Sequence, residues 1–223
     1  MNILPTITTT KRANWRAMAK EANLLNLTEV AFFPTVLSKE ERDEAYLLFK
    51  ENGIISIPFV HLRTDMDNDE IDFLIKEFNT KIFNIHPFRT HKPEHDLTPH
   101  AQQIYIETQI ELEASELKKF AGICIDISHL EQFEKTSPDV FVGISALLKT
   151  FPVGCAHISA VRKIPEIFPD RTKWAFHYFE DLADFDYVKK YQSILPPIVA
   201  LEIENPLTEQ LKAKEYILNS LKN

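Results

Sequence analysis

GICIDISHLEQF, residues 122–133, begins as a buried strand and ends as something else. Gly122-Ile123-Cys124-Ile125 is apolar; Asp126 follows, then Ile127-Ser128 and His129. A short apolar run rich in β-branched residues reads as a strand buried on both faces of a parallel sheet. A carboxylate at its end is costly unless something meets the charge. The same ending recurs along the chain. IPFVH stops at His61, IFNIH at His86, IYIE at Glu107, GCAH at His157, and VALEIE at Glu202 and Glu204.

Between these runs lie helical patterns. SKEERDEAYLLFKEN (residues 38–52) starts with Ser38 and has Glu41 three residues on, a capping box, and Gly53 follows as a stop. Trp15, Met18, Ala22 and Leu25 share one helical face. Strands are expected at Ile3–Thr8, Val30–Phe33, Ile54–Val60, Ile82–Ile85, Ile104–Ile106, Gly122–Asp126, Val153–Ala156 and Ile198–Ile203. Helices are expected near Asp69–Phe78, Ser115–Phe120, up to Lys149, Phe185–Leu195 and Thr208–Leu221. Alternation of this kind implies parallel strands with helical crossovers. Eight such units in 223 residues predict an α/β fold, a compact (β/α)8 TIM barrel forming one domain over residues 1–223. An open doubly wound sheet is the competing arrangement.

Composition removes several function classes. A net charge of -8 gives no overall attraction to a nucleic-acid backbone, and four glycines cannot build a glycine-rich phosphate loop. No apolar run has the length of a membrane span, and MNILPTITTTKR lacks the apolar region of a secretory signal. The two cysteines, Cys124 and Cys155, sit in apolar runs, as in a reduced cytoplasmic protein. Cys124 shares strand parity with Asp126 and Cys155 with His157, so both are expected to face a barrel interior.

In a barrel the C-terminal strand ends converge on one mouth, where active sites form. Carboxylates and imidazoles gathered there carry a desolvation cost that a cation offsets. Mixed His, Asp and Glu donors suit zinc, manganese or similar divalent ions rather than a thiolate site. Taken singly, each residue also fits a cap or a hydrogen-bonded loop position.

The constellation resembles the xylose-isomerase-like barrel superfamily, which includes sugar isomerases, sugar epimerases and endonuclease IV. CIDISHL is similar to the family's Asp-x-x-His, and His157, the stretch HYFEDLADFDYVKKYQSILP and the final strand glutamate are similar as well. The resemblance covers nearly the whole chain by pattern. It implies one divalent ion (Mn, Zn or Co) held by Glu107, Asp126, His157 and Glu202. Glu107 and Glu202 would be the catalytic acid–base pair of an isomerase or epimerase acting through an enediolate. His129, Arg162, His177 and His86 would contact a small sugar-like substrate. Glu204 competes with Glu202 for the ligand role.

The endonuclease IV side of the family implies more metal. There His61, His86 and Glu107 would hold a second ion, with Glu107 bridging. A third ion would need His129, His177 and an aspartate where this chain has Ala175. The leading expectation is thus a metal-dependent sugar isomerase or epimerase; the alternatives are a phosphoester hydrolase with one or two zinc ions and a barrel that only binds a small ligand. Short loops leave little material to enclose a substrate unless a second copy, as in a homodimer, covers the mouth. Arg89–His95 reads as a solvated loop or a lid, and Arg162-Lys163 as loop charges or an anion contact.

Overall fold

The computed structural model describes every residue except Lys11, Glu111 and Asn223. Nine parallel strands form one sheet: β1 (Asn2–Leu4), β2 (Thr6–Thr8), β3 (Ala31–Phe33), β4 (Phe59–His61), β5 (Ile82–Ile85), β6 (Ile104–Glu107), β7 (Gly122–Asp126), β8 (Val153–Ile158) and a last strand, Ile198–Leu201, here β11. A separate antiparallel hairpin is made of β9 (Ala160–Ile167) and β10 (Thr172–Phe176).

The strand order is β1-β11-β8-β7-β6-β5-β4-β3-β2, so the sheet begins and ends on strands that adjoin in sequence. Pro5 separates them. Asn2–Leu4 pairs with Ile198–Ala200, whereas Thr6–Thr8 pairs with Ala31–Phe33. Proline has no N–H to continue a ladder, but its carbonyl accepts from Ala31 at 2.9 Å. The single strand expected at Ile3–Thr8 is therefore two, and the result is a nearly closed, barrel-like parallel sheet.

Helices cover its outer face: α1 (Trp15–Leu24), α2 (Lys39–Glu51), α3 (Asn68–Phe78), α4 (Ala114–Leu117), α5 (Ile127–Thr136), α6 (Pro138–Leu148) and α7 (Leu207–Ser220). The capping box at the start of α2 forms: Ser38 accepts from the Glu41 amide and Glu41 from the Ser38 amide. Gly53, just past the helix, takes a φ of 81° that favours glycine.

Several expectations need correction. The strand expected at Ile54–Val60 is only Phe59–His61, because Pro58 cannot donate and the preceding residues form a single bridge, Glu29 with Ser56. The helix expected at Phe185–Leu195 is present as a 3-10 helix over Leu182–Ile194, and the polar stretch after β5 contains a 3-10 turn, Thr98–His100. The β9–β10 hairpin was not legible in the irregular segment 160–196.

The apolar core has two compartments. A large one lies between sheet and helices and includes Phe32, Phe49, Phe78, Phe83 and Ile106. A small one fills the inside of the sheet: Leu4, Ala31, Phe33, Phe59, Cys124, Cys155 and Ala200. Strand alternation assigns each residue to one side, and both cysteines are free and buried inside, as their parity requires. Gly154 marks a close approach. A Cβ there would stand 2.1 Å from the Tyr105 ring, beside the register shift between β7 and β8. No helix among the described residues is long and apolar enough to cross a membrane.

Candidate metal centre

The inner compartment ends, at the C-terminal side of the sheet, in polar groups. Two residues beyond Phe59, Cys124, Cys155 and Ala200 on the same strand faces stand His61, Asp126, His157 and Glu202. The residues of the centre come from six strands that are neighbours in the sheet, β4 to β8 and β11. His61, Glu107, Asp126, His157 and Glu202 are buried; His86, His129 and His177 are half-buried at the rim.

Glu107 is the common point. Its Oε2 lies 3.2 Å from His61 Nε2, 3.6 Å from His86 Nε2 and 3.7 Å from His157 Nδ1. Asn84 donates to the same oxygen at 2.9 Å and so sets the carboxylate's orientation. His61 and His86 meet with their Nε2 atoms 3.3 Å apart. On the other side His157 Nδ1 stands 3.4 Å from Glu202 Oε2. Phe33 and Phe59 lie beneath His157, with ring centroids 4.7 and 5.4 Å away.

Asp126 both ends β7 and caps α5. Its Oδ1 accepts from the His129 amide at 2.9 Å and from the Ser128 hydroxyl at 2.5 Å. A strand that becomes a helix without a loop places its capping carboxylate at the sheet's mouth, which explains the opening stretch of sequence. Asp126 Oδ2 makes no hydrogen bond, although His129 Nδ1 is 3.1 Å away.

The charges are set by proximity. Burial alone would raise the Glu107 carboxyl, but His86, His157 and His61 hold it well below the usual carboxylate range. Glu202 is likewise opposed by burial, yet His177 and His157 bring it down to about 2. Burial pushes His86 down to about 4. Burial disfavours the charged form of His157, but its surroundings, Glu107 and Glu202 among them, move it well above the ordinary histidine value.

Among the described residues, three groups have donor atoms mutually close enough to share an ion: His61–His86–Glu107, Glu107–Asp126–His129 and Asp126–His157–Glu202. The fit is supported by orphaned polar atoms, since buried Asp126 Oδ2 and both ring nitrogens of His157 lack hydrogen-bond partners. Buried polar atoms normally find partners, and nitrogen and carboxylate oxygen are the donors a divalent cation takes. These residues suit such an ion.

Not every expected residue joins the cluster. Arg162 is turned to Glu166 and Glu180, at 3.0 and 3.1 Å, with its guanidinium 4.2 Å over the Phe176 ring. Glu204 is bonded by the Thr10 hydroxyl at 2.5 Å, while Glu202 faces His157 and His177. His177 is 3.9 Å from Glu202, and its ring lies 6.5 Å from that of His129. Two contributors escape a reading of strand ends. Asn84 sits inside IFNI, where a polar residue two before His86 was the available signal. His91, in the Arg89–His95 loop, packs its ring 4.4 Å from His86.

No family model matches the chain, and no curated protein matches it.

Proposed function

We propose that this protein is a hydrolase of small phosphate esters that uses two divalent cations at the mouth of a (β/α)8 barrel. Glu107 supports this reading, because its donor atoms belong to two groups that could each share an ion, His61–His86–Glu107 and Glu107–Asp126–His129. A carboxylate shared by two neighbouring donor groups suits a paired-ion site. His61, His86 and Glu107 would hold one ion, and Glu107, Asp126, His157 and Glu202 the other. Cations bound there would supply Lewis-acid stabilisation of the charge that builds on a phosphoryl oxygen.

The chain's own groups do the rest. Asn84 keeps Glu107 in one orientation, and Ser128 and the α5 amide do the same for Asp126. His129, His177 and His91 stand at the rim, where a partly exposed imidazole can bind an anionic ester or move a proton to its leaving group. The net charge of -8 directs the choice towards a small ester rather than nucleic acid.

A sugar isomerase or epimerase is the second reading. It draws support from Glu107 and Glu202, whose carboxylates both approach His157 Nδ1, at 3.7 and 3.4 Å. Arg162, the substrate contact that this reading would use, bonds Glu166 and Glu180.

Elemental analysis together with two assays tests the choice. Two ions per chain, one lost in His61→Ala/His86→Ala, with phosphate release from p-nitrophenyl phosphate, is the expected result. One ion that survives those substitutions, with solvent deuterium entering a ketose, would move the assignment to the epimerase. No ion after supplying zinc, manganese and cobalt would leave a binding pocket without metal chemistry.

A further inference from the structure

A cavity of about 760 Å³ lies beside the metal cluster. It extends from His129 along α5 to β10, with Gln132, Phe133 and Trp174 in its lining. Its wall is fixed rather than loose. Gln132 Oε1 accepts from the backbone amides of Trp174 and Ala175, at 3.0 and 3.2 Å, and so clamps β10 to α5.

The charges of this cavity are unusual for an acidic protein. Lys135, Arg171 and Lys173 line it against one acid, Asp170. Lys135 is neutralised by Glu131 at 2.5 Å. Arg171 and Lys173 make no ion pair among the described residues. They rest instead on aromatic faces, Arg171 5.4 Å from the Phe168 ring centroid and Lys173 4.8 Å from that of Phe176, rings that line an adjoining cavity with Glu166 and Glu204. Two cations two residues apart at the start of β10, stacked on rings rather than paired with carboxylates, keep their hydrogen-bond donors available.

We infer that this cavity binds the far end of the substrate, Arg171 and Lys173 holding a second anionic group while Trp174 packs against the organic part between. The inference rests on the phosphate-ester reading and narrows it to esters with two negative groups. The volume leaves room for more than the reacting phosphate, which would sit at the metal cluster. Burial and the neighbouring Arg171 also push the Lys173 ammonium below its ordinary pKa, a cost that a bound anion would relieve.

Binding to the metal-free protein separates this inference from catalysis. Trp174 fluorescence is followed while fructose 1,6-bisphosphate is added, with Trp174→Phe to isolate its signal from that of Trp15. A saturable change is expected with the bisphosphate. Glycerol 2-phosphate should bind more weakly, and Arg171→Ala/Lys173→Ala should weaken the bisphosphate by about tenfold or more, because charge-assisted contacts are lost. Both residues lie on the exposed hairpin, and circular dichroism confirms that the variant folds. No saturable binding in the wild type, or binding that the double substitution leaves unchanged, would overturn the inference. Bisphosphate binding without phosphate release by the metal-loaded enzyme would instead overturn the hydrolase reading and leave this anion site standing.

Discussion

At the scale of single residues, Asn84 shows how a neutral side chain serves a charged centre. Its amide donates to the Glu107 oxygen that also faces three imidazoles. Groups that orient a metal ligand are worth roughly 10–100-fold in affinity or activity. Asn84→Ala should therefore lower metal affinity by about that factor with little change in fold, measured by competition with a metal indicator. Unchanged affinity would mean that Glu107 is positioned by its strand alone.

The same residues set a pH response of the metal-free protein. His86 is down at about 4 when folded against an ordinary 6.5, so between those values the unfolded chain binds more protons and stability falls as pH falls. Glu202, at about 2, contributes stability that is present above the ordinary carboxylate range and lost as pH falls towards its folded value. His157, raised when folded, contributes fully below its ordinary 6.5 and loses that contribution as pH rises through its raised value. Melting temperature should thus peak near neutral to slightly acidic pH, and His86→Gln should flatten the limb between 6.5 and about 4. An acid limb identical in the variant would remove His86 from the account.

At the scale of elements, the loop after β4 owes its place to a helix rather than to the sheet. Arg42 of α2 is fully buried and bonds Glu70 of α3 with two nitrogens, at 2.8 and 2.9 Å, and Asp65 at 2.9 Å. Asp65 in turn accepts from Arg63, which follows His61 by two residues. Tyr46 adds a hydroxyl to Glu70 at 2.6 Å. Breaking such a buried pair leaves an uncompensated carboxylate and costs about 3–5 kcal/mol. Arg42→Met should destabilise by that amount in urea unfolding, and adding Glu70→Gln should restore part of it. Equal loss in both variants would mean that shape, not charge, dominates there.

At the scale of the whole molecule, the centre joins six strands that are distant in sequence and adjacent in the sheet. An ion bound to them binds the folded chain alone and stabilises it by mass action, about 2.7 kcal/mol at a hundredfold excess over Kd. For a chain of 223 residues this corresponds to a rise in Tm of roughly 5–10 °C on adding zinc to chelator-treated protein. No shift, with metal shown absent by elemental analysis, would contradict the ion site.

Much of this was legible in the residues. The period of short apolar runs and amphipathic stretches determined an α/β chain with parallel strands, because a strand buried on both faces and a one-faced helix have different patterns. The capping box of α2 and the inward parity of Cys124 and Cys155 follow from spacing alone. So does the set of strand-end residues, since alternation along a strand is local. What spacing cannot carry is direction beyond the end of a strand and proximity between distant segments. Glu202 and Glu204 have the same parity, and only the turn of the chain after β11 sends one to His157 and the other to Thr10. Arg162 lies after β8 as expected, but the β9–β10 hairpin points it to Glu166 and Glu180. The meeting of His61, His86 and Glu107, and the cavity between α5 and β10, likewise arise from contacts across the fold. Residue types and local periods therefore determined which groups stand at the mouth, and packing between segments decided which of them meet.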